Sequence, residues 1–330
     1  MGVFGRNHAR VYRELAQQGG AQLAAVYDAD PATARAISEK FGVPAVPSLS
    51  ALKGAVDAVS VAVPTVEHVN VARDLMEAGI DVLIEKPLAS TLAEADELIR
   101  LAQRTARIVQ VGHLERFNPA VRATVPLITR PLFFEVHRLS VFTPRSLDVD
   151  VVLDLMIHDL DVVLSFVDSP VKEIRAVGLP ILSDKVDIAN VRMEFDSGCV
   201  ANFTASRVST ERVRKLRFFQ PHQYISIDYT RQDVMVFSVD PAKVAQVPGE
   251  LVASPNPGIG IQKPPVTSEE PLRAELRAFL DAVRTRSKPV VTLDDGRRAL
   301  AVALDVLAAI REHSRRLRLD ALAPAPQRNL

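Results

Sequence analysis

Lys86 combines a residue type and a position that suit a catalytic role. It stands between Glu85, which follows the apolar run 82–84, and Pro87. Open α/β sheets bind ligands where their parallel strands end, so a lysine that closes a strand lies at the appropriate edge. A lysine amine accepts a proton near neutral pH when burial or neighbouring cations lower its pKa. The position indicates a base or a charged anchor, and a solvated surface lysine is the alternative.

His158 belongs to a second polar group, with Asp154 and Asp161. Their spacing of i, i+4 and i+7 predicts one stripe of a single helix. The other positions of 151–166 are almost all apolar, so the helix is expected to be buried, where unpaired polar groups are costly. Histidine titrates near neutral pH and can exchange a proton with a substrate hydroxyl. We predict that role and no metal, while a core His-Asp pair and a metal site stay open as alternatives.

A glycine-containing run at the start of the chain resembles the end of a dinucleotide-binding motif. The run consists of Gly2, Val3, Phe4 and Gly5. Such glycines, leading into a helix predicted over 7–18, let backbone amides approach a pyrophosphate. Asp28 ends the next predicted strand, where an acidic side chain accepts hydrogen bonds from a ribose and repels a 2′-phosphate. This arrangement favours NAD over NADP, and a simple turn cap is the alternative for Asp28.

No strand precedes the glycine run in the sequence as it stands. In dinucleotide-binding folds that strand lies mid-sheet, so its absence leaves neighbouring strands without hydrogen-bonding partners. We expect a few further residues upstream, with Met1 standing in for a residue inside the motif. If the chain does begin at Met1, we expect poor NAD binding, marginal stability and an inactive protein.

The elements that must position these groups follow two patterns. Residues 20–112 alternate short β-branched runs with helical patterns, which predicts an α/β Rossmann-like parallel sheet. Its readable strands are 22–27, 58–63, 82–84 and 108–111. From about residue 132, longer runs predict an α+β domain with a large, open, mostly antiparallel sheet. Those runs are 132–139, 171–177, 187–195, 199–206, 215–219, 224–229 and 233–239.

Local signals refine these elements. Thr91 and Glu94 predict a capping box at a helix start, and Gly79 and Gly198 occupy positions where a helix end and a hairpin need a left-handed residue.

The end of the chain divides into a loop, two helices and a tail. Residues 240–271 are rich in proline and polar residues and predict a long loop. Helices are predicted over 271–285 and 294–313, and the chain beyond 321 is expected to be a loose tail.

We predict two domains: an NAD-binding domain over 1–115, and a substrate and oligomerisation domain over 116–330 whose last helices pack back on the first. A chain of 330 residues fits that count.

Composition excludes several classes of protein. The 40 basic and 40 acidic side chains balance, which argues against a general nucleic-acid binder. Cys199 is the only cysteine, so no intramolecular disulfide can form. No apolar stretch reaches the roughly 20 residues of a membrane span, and no signal peptide is visible. We therefore expect a cytoplasmic protein without nucleic-acid or membrane partners.

Together these motifs resemble the Gfo/Idh/MocA family of oxidoreductases, and the likeness also covers 59–65 and 289–296. The resemblance implies the two-domain fold and a dimer or tetramer built on the open sheet. It also implies that Lys86 and His158 are the catalytic pair with Asp154 beside them. The cofactor contacts that it implies, beyond the glycine run and Asp28, are Pro64, Thr65, His68, Glu85 and Lys86.

Within that family, 112–119 and 144–161 resemble the enzymes that oxidise the 3-hydroxyl of UDP-N-acetylglucosamine, a step towards 3-amino sugars of lipid A or other surface glycans. The substrate contacts this implies are His113, Arg116 and Asn118. Cations suited by residue type to a diphosphate are Arg116, Arg207, Arg212 and Arg214.

Two other functions stay open: a dehydrogenase of a free polyol or sugar such as inositol, and a non-catalytic NAD-binding regulator. Retention of both Lys86 and His158 argues against the regulator, which needs no proton acceptor. The sequence does not decide which of the two is the base.

Overall fold

A computed structural model describes residues 2–143, 149–239, 250–253 and 259–317. The chain forms two compact units, one of residues 1–117 with 269–300 and the other of residues 118–268 with 301–330. Its helices are α1 Val3–Gln17, α2 Pro31–Phe41, α3 His68–Glu77, α4 Leu92–Thr105, α5 Pro119–Thr124, α6 Ile157–Phe166, α7 Pro271–Thr285 and α8 Leu293–Leu317. Its strands are β1 Ala58–Val61, β2 Asp81–Glu85, β3 Val109–Gly112, β4 Phe133–Val141, β5 Val171–Leu179, β6 Ile188–Phe195, β7 Val200–Ser209, β8 Val213–Gln220, β9 Gln223–Asp228, β10 Asp233–Ser238, β11 Glu250–Ala253 and β12 Gly260–Lys263.

The first unit is built on a parallel sheet in the order β1-β2-β3. Every residue of β2 is buried, which explains its continuous apolar run, whereas three of the four residues of β1 are only half-buried. The parallel α/β architecture agrees with the sequence prediction.

Residues 22–27, predicted as a strand, form only one isolated bridge. The amide of Val26 donates to the carbonyl of Pro44 at 2.9 Å, and the amide of Val46 donates to the carbonyl of Val26 at 3.0 Å. A strand needs a neighbour along its whole length, and this segment finds one at a single residue. The strand prediction is therefore wrong for this segment.

The core of the first unit joins its sheet to its first and penultimate helices. Leu83 of β2 packs with Val11 and Leu15 of α1 and with Leu276 and Phe279 of α7. Apolar side chains recur on one face of α1 and of α7, so each helix has a face to bury against the strand between them. This packing holds α1 beside β2.

Local signals read from the sequence are confirmed. Thr91 and Glu94 form the capping box that starts α4. Gly79 and Gly198 take φ values of 86° and 81°, in the left-handed region that favours glycine.

The second unit carries a sheet of nine strands in the order β11-β12-β10-β9-β8-β4-β7-β6-β5. Only the β4–β7 pair is parallel among the pairs described, so the prediction of a mostly antiparallel sheet is confirmed. Burial alternates along β4, with Phe134, Val136 and Arg138 buried and their neighbours partly exposed. One face of the sheet thus lies on a core and the other is open.

The predicted loop over 240–271 is wrong in two places. Residues 250–253 form β11 and residues 260–263 form β12, which extend the sheet from the edge strand β10. Main-chain hydrogen bonds to a free sheet edge can order a segment whose composition is that of a loop. Residues 240–249 and 254–258 lie outside the described part of the chain, as does the tail predicted beyond 321.

The predicted single stripe of Asp154, His158 and Asp161 needs a correction. The chain turns as a π-helix over Val152–Met156 before α6 begins at Ile157. A π turn inserts one residue relative to an α-helix, so Asp154 and His158 are not one regular α-turn apart. Such turns are frequent at functional sites. The segment 144–148 before it lies outside the described residues.

Across the ranges that the structure describes, no helix is long and apolar enough to cross a bilayer. Cys199 is buried, and burial raises the pKa of its thiol to about 11, as expected for an inert core cysteine.

Candidate active site

The carboxyl ends of the three parallel strands gather most of the predicted site residues of the first unit. Pro64 and Thr65 follow β1, Lys86 follows β2 and His113 follows β3. Glu85 lies opposite Gly112 in the β2–β3 register, so the ends of these two strands are level. This is the edge at which open parallel sheets bind ligands.

Glu85 is held by a helix rather than by its own sheet. Nε2 of His8, in α1, lies 2.8 Å from Oε1 of Glu85, and both side chains are buried. The other carboxylate oxygen, Oε2, accepts the backbone N–H of Lys86 at 3.3 Å. The carboxylate therefore joins α1 to the residue that carries the candidate amine.

Gly112 leaves the space in which the Glu85 side chain lies. A Cβ atom at Gly112 would stand 3.1 Å from Cα, from Cδ and from Oε2 of Glu85. The Cα atom is backbone and cannot swing aside, so any larger residue would displace Glu85 or strain β3.

His68 connects the ends of β1 and β2. Its Nδ1 lies 3.0 Å from the carbonyl oxygen of Pro87, and its Nε2 lies 3.1 Å from that of Val63. Burial lowers the pKa of His68, and each tautomer of the ring donates an N–H to one of these two carbonyls. The sequence predicted a cofactor contact here, and the geometry supports a clamp between two strand ends.

His113 is buried without a hydrogen-bond partner for either ring nitrogen among the described residues. Its side chain is almost fully enclosed, with 1% of the residue exposed. Burial, then the positive charges of Arg116 and Lys86, lower its pKa to about 3, so the ring is neutral at physiological pH. A neutral imidazole offers one donor and one acceptor, and leaving both unused costs about 1–3 kcal/mol. Such a group is available to bind a ligand or an ordered water molecule.

The start of α1 has features that suit an anion. Its N-cap is Gly2, no side chain caps the helix, and its first turn carries no acidic residue. The first amides of a helix lack intrahelical acceptors, and they attract phosphate groups. Asp28 accepts the backbone N–H of Asp30 through Oδ1 at 2.8 Å, while Asp30 itself caps α2. One oxygen of Asp28 thus stabilises the turn before α2.

In the second unit, a buried ion pair fixes the helix of His158. Nε of Arg138 on β4 lies 2.6 Å from Oδ2 of Asp159, and the pair is bidentate. Asp161 is also buried, whereas Asp154 and His158 are half-buried. The Arg138–Asp159 pair therefore anchors α6 to the sheet and leaves His158, its neighbour in sequence, partly accessible.

Two residues predicted to bind substrate have structural partners instead. Asn118 caps α5 by accepting the N–H of Ala120 at 3.1 Å, and it donates to the carbonyl of Tyr229 at 3.0 Å. Arg207 is buried, with Nε 3.5 Å from Oδ1 of Asp187. These contacts give both groups a structural role, and substrate binding by Asn118 stays a prediction.

His8 was missed by the sequence analysis. It lies on the buried face of α1 with Gly5, Ala9, Val11 and Leu15. A histidine inside an apolar helical stripe is the signal that could have singled it out, because a buried polar side chain needs a partner.

Comparison with known proteins identifies the family. Residues 1–113 match the model of an oxidoreductase family with an NAD-binding Rossmann fold, Gfo/Idh/MocA, and residues 132–225 match the model of its C-terminal domain. The chain belongs to the Gfo/Idh/MocA family. It is thus an oxidoreductase, and its first unit carries the NAD-binding fold, in agreement with the expectation from sequence.

Individual Gfo/Idh/MocA relatives extend this comparison. A UDP-N-acetylglucosamine 3-dehydrogenase from Acidithiobacillus ferrooxidans is 36% identical over 94% of this chain and 95% of its own length. A solved structure of that enzyme superposes with a TM-score of 0.84 over the same shares of the two chains. An apo scyllo-inositol dehydrogenase from Lactobacillus casei gives a TM-score of 0.76 at 20% identity over 95% of this chain and 94% of its own. The latter likeness concerns the fold alone.

Features of the first unit fit a dinucleotide. The uncapped start of α1 offers amides to phosphate, and the unpaired nitrogens of His113 offer hydrogen bonds at the strand ends. A metal has no comparable site in the described ranges, where no three His, Cys, Asp or Glu side chains come together.

Proposed function

We propose that this protein oxidises a sugar hydroxyl to a ketone with NAD. The substrate we propose is UDP-N-acetylglucosamine, oxidised at its 3-hydroxyl for the synthesis of 3-amino sugars of lipid A or surface glycans. Support comes from the enzyme of Acidithiobacillus ferrooxidans, which is similar over nearly the full length of both chains. We further propose that the protein works in the cytoplasm, where nucleotide sugars and NAD are available.

The observation that carries this proposal is the polar environment of Lys86. It stands at the carboxyl end of a fully buried strand, beside the neutral ring of His113 and near the cation Arg116. A buried donor and acceptor next to two cations suit an anionic, hydroxyl-rich ligand. We assign Arg116 to the diphosphate and His113 to the substrate.

Cofactor binding is assigned to the strand ends and to the start of α1. The backbone of the run Gly2, Val3, Phe4 and Gly5 would hold the pyrophosphate, and Asp28 would accept hydrogen bonds from the adenosine ribose. The turn at Pro64 and Thr65 would line the cofactor. Bound NAD would accept a hydride from the substrate carbon.

Proton transfer is assigned to Lys86 and His158, with Asp154 orienting the imidazole or bonding the sugar. In full chains, Lys86→Ala and His158→Ala are each expected to lower kcat by about 100-fold or more, with little change in NAD affinity. A satisfied core histidine would behave differently, since its loss would lower the melting temperature and spare the turnover of folded enzyme.

The direct experiment mixes purified protein with NAD and UDP-N-acetylglucosamine and follows NADH absorbance. Mass spectrometry should find a nucleotide sugar lighter by two hydrogens. Free N-acetylglucosamine and inositol are the control substrates. Faster turnover of inositol would replace the proposal with the polyol dehydrogenase, and NAD binding without turnover of any sugar would support the regulator.

Cofactor preference is tested at Asp28. We expect Asp28→Ser to lower kcat/KM with NAD and to raise the relative use of NADP about tenfold, because the strong carboxylate acceptor for the ribose and its repulsive charge are removed. Asp30→Ser, which removes a nearby charge while keeping an oxygen that can cap α2, is the control and should leave the cofactor ratio unchanged. An unchanged cofactor ratio in Asp28→Ser would mean that Asp28 only stabilises the turn before α2.

We also propose that the protein is a homo-oligomer built on the open face of its nine-stranded sheet. Phe133, Phe219, Tyr224 and Phe237 stack there in a row, with ring centroids 5.8, 4.9 and 5.0 Å apart. Phe219 is 38% exposed, although a lone phenylalanine prefers burial. Phe219→Glu should lower the mass measured by light scattering, while Glu173→Lys, a charge change on the outermost strand β5, should not.

A further inference from the structure

The contact between His8 and Glu85 joins two parts of the first unit that are 77 residues apart in sequence. His8 lies in the second turn of α1, and Glu85 is the last residue of β2. Nε2 and Oε1 are 2.8 Å apart, and both side chains are buried. Because a carboxylate can only accept a hydrogen bond, Nε2 of His8 is the N–H donor in this contact.

This is the hydrogen bond that orients the imidazole of His8. Its other ring nitrogen, Nδ1, finds no partner within the described residues. The carboxylate, in contrast, has a second duty, since Oε2 accepts the N–H of Lys86 at 3.3 Å. The chain of contacts therefore runs from the helix through Glu85 to the backbone of Lys86.

The neighbouring strand β3 also restricts the side chain of Glu85. Gly112 approaches so closely that a Cβ atom would stand 3.1 Å from three atoms of Glu85. A side chain held by a hydrogen bond and closely approached by neighbouring backbone has little freedom. Glu85 is thus fixed at the point from which Lys86 extends.

We propose that Glu85, held by His8, is a positioning residue for Lys86. The dyad fixes the end of β2, and so the direction of the lysine, and it connects that direction to α1. The proposal rests on the proposed function in so far as Lys86 takes part in the reaction. It gives Glu85, predicted from sequence as a cofactor contact, a task that requires no contact with cofactor.

The opposite end of β2 provides a matched control. Asp81, its first residue, is also a buried carboxylate, and it pairs with Arg286. If both buried carboxylates served stability alone, breaking the His8–Glu85 pair or the Arg286–Asp81 pair would lower stability and leave kcat unchanged. The proposal expects different ones, because only Glu85 is bonded to the backbone of Lys86.

The test compares His8→Ala and Glu85→Gln with Arg286→Ala and Asp81→Asn in the full chain. Turnover per folded molecule is measured with NAD and UDP-N-acetylglucosamine. We expect the first two variants to lose about 10-fold or more in kcat, as small misplacements of reacting groups do, with KM values changed less than about threefold. His8→Gln keeps an N–H for Glu85 and should recover most of the loss. The two control variants should melt at lower temperature and keep their kcat.

A second measurement does not depend on the substrate. Acetylation of Lys86 by a brief pulse of acetic anhydride, followed by mass spectrometry, reports how the amine is held, with the exposed Lys53 as an internal standard. We expect the Lys86-to-Lys53 ratio to change about threefold or more in His8→Ala and Glu85→Gln and to stay constant in the controls.

The two measurements separate the possible failures. If UDP-N-acetylglucosamine is not turned over but the acetylation ratio changes as expected, the proposed function fails and the positioning role stands. If His8→Ala and Glu85→Gln keep both the kcat and the acetylation ratio of the controls, the positioning role is overturned. Should His8→Ala fail to fold, Glu85→Gln against the two control variants still tests the proposal, because Glu85→Gln keeps the size of the side chain and removes its charge.

Discussion

The two ends of strand β2 carry the same kind of group in different settings. At the amino end, Asp81 accepts the N–H of Ile108 at 2.8 Å, pairs with Arg286 and has Arg107 at 3.9 Å. Each oxygen has a partner, and the partners include two permanent cations. A carboxylate enclosed in this way is balanced in charge and in hydrogen bonds.

At the carboxyl end, the polar groups are not balanced. Glu85 lies against His8 and accepts the backbone N–H of Lys86, while the nearby ring of His113 has no hydrogen-bond partner among the described residues. Two cations, Lys86 and Arg116, stand close enough to depress the pKa of His113.

The difference separates stability from function within one strand. Polar groups that serve stability are paired inside the protein, because an unpaired buried group costs free energy. Groups that await a ligand keep that cost until the ligand binds. Substitutions at the two ends test whether their functions differ in this way.

The largest effect is expected at Lys86. Lys86→Ala should lower kcat about 100-fold or more while the melting temperature changes little, because a half-exposed lysine contributes little to packing. Steady-state kinetics and a thermal melt provide the two numbers. Lys53→Ala, at an exposed lysine of the same unit, should leave both numbers unchanged. Normal turnover in Lys86→Ala would mean that the carboxyl end of β2 has no catalytic role.

The next largest effect is the pH dependence of stability that His113 causes. Its pKa falls from 6.5 to about 3 on folding, because of burial and of the charges on Arg116 and Lys86. Below pH 6.5 the unfolded chain binds a proton that the folded chain does not, so stability decreases as the pH falls from 6.5 towards 3 and is unaffected above it.

Urea unfolding of the wild type and of His113→Phe measures this contribution. Between pH 7.5 and pH 5.0 the wild type should lose about 2 kcal/mol more than the variant, at about 1.4 kcal/mol per pH unit below 6.5. Titrating groups that the two proteins share cancel in the difference. Equal losses of stability in the two proteins would mean that folding does not lower the pKa of His113.

A smaller effect is expected at Gly112. Gly112→Ala should lower kcat about tenfold, since the added methyl group presses on Glu85 beside Lys86. Gly296→Ala is the matched control, because its Cβ atom would meet the side chain of Val111 at 2.9 Å, away from Glu85. Both variants should lose roughly 1–3 kcal/mol of stability to overpacking. A normal kcat in Gly112→Ala would show that Glu85 tolerates displacement.

The smallest effect is expected at the amino end. Arg286→Ala should cost about 1 kcal/mol of stability, because the arginine is 46% exposed and Asp81 keeps its backbone partner. Turnover at saturating substrate should match the wild type. A large fall in kcat would mean that both ends of β2 act on the reaction.

Features that depend on neighbours in sequence were predictable. The capping box of Thr91 and Glu94 and the left-handed glycines Gly79 and Gly198 follow from the geometry of one helix start, one helix end and one hairpin turn. The buried run of β2 indicated a parallel strand, and Lys86 could be assigned to its end, because both depend on the order of residues alone.

Features that depend on partners distant in sequence could not be predicted. Residues 22–27 have the composition of a strand but only one bridging neighbour, while 250–253 and 260–263 have that of a loop and lie on a sheet edge. Pairing decides such segments, because a strand is stabilised by hydrogen bonds to another segment and not by its own residues.

The order of residues was enough to assign the class of fold, the helix and turn signals, and the candidates Lys86 and His158. The contact of His8 with Glu85 across 77 residues, the space that Gly112 leaves for that carboxylate, and the absence of a partner for the nitrogens of His113 in the described chain depend on packing. The physical reason is that residue types set which bonds a group can make, whereas packing sets which of those bonds are made and which are left for a ligand.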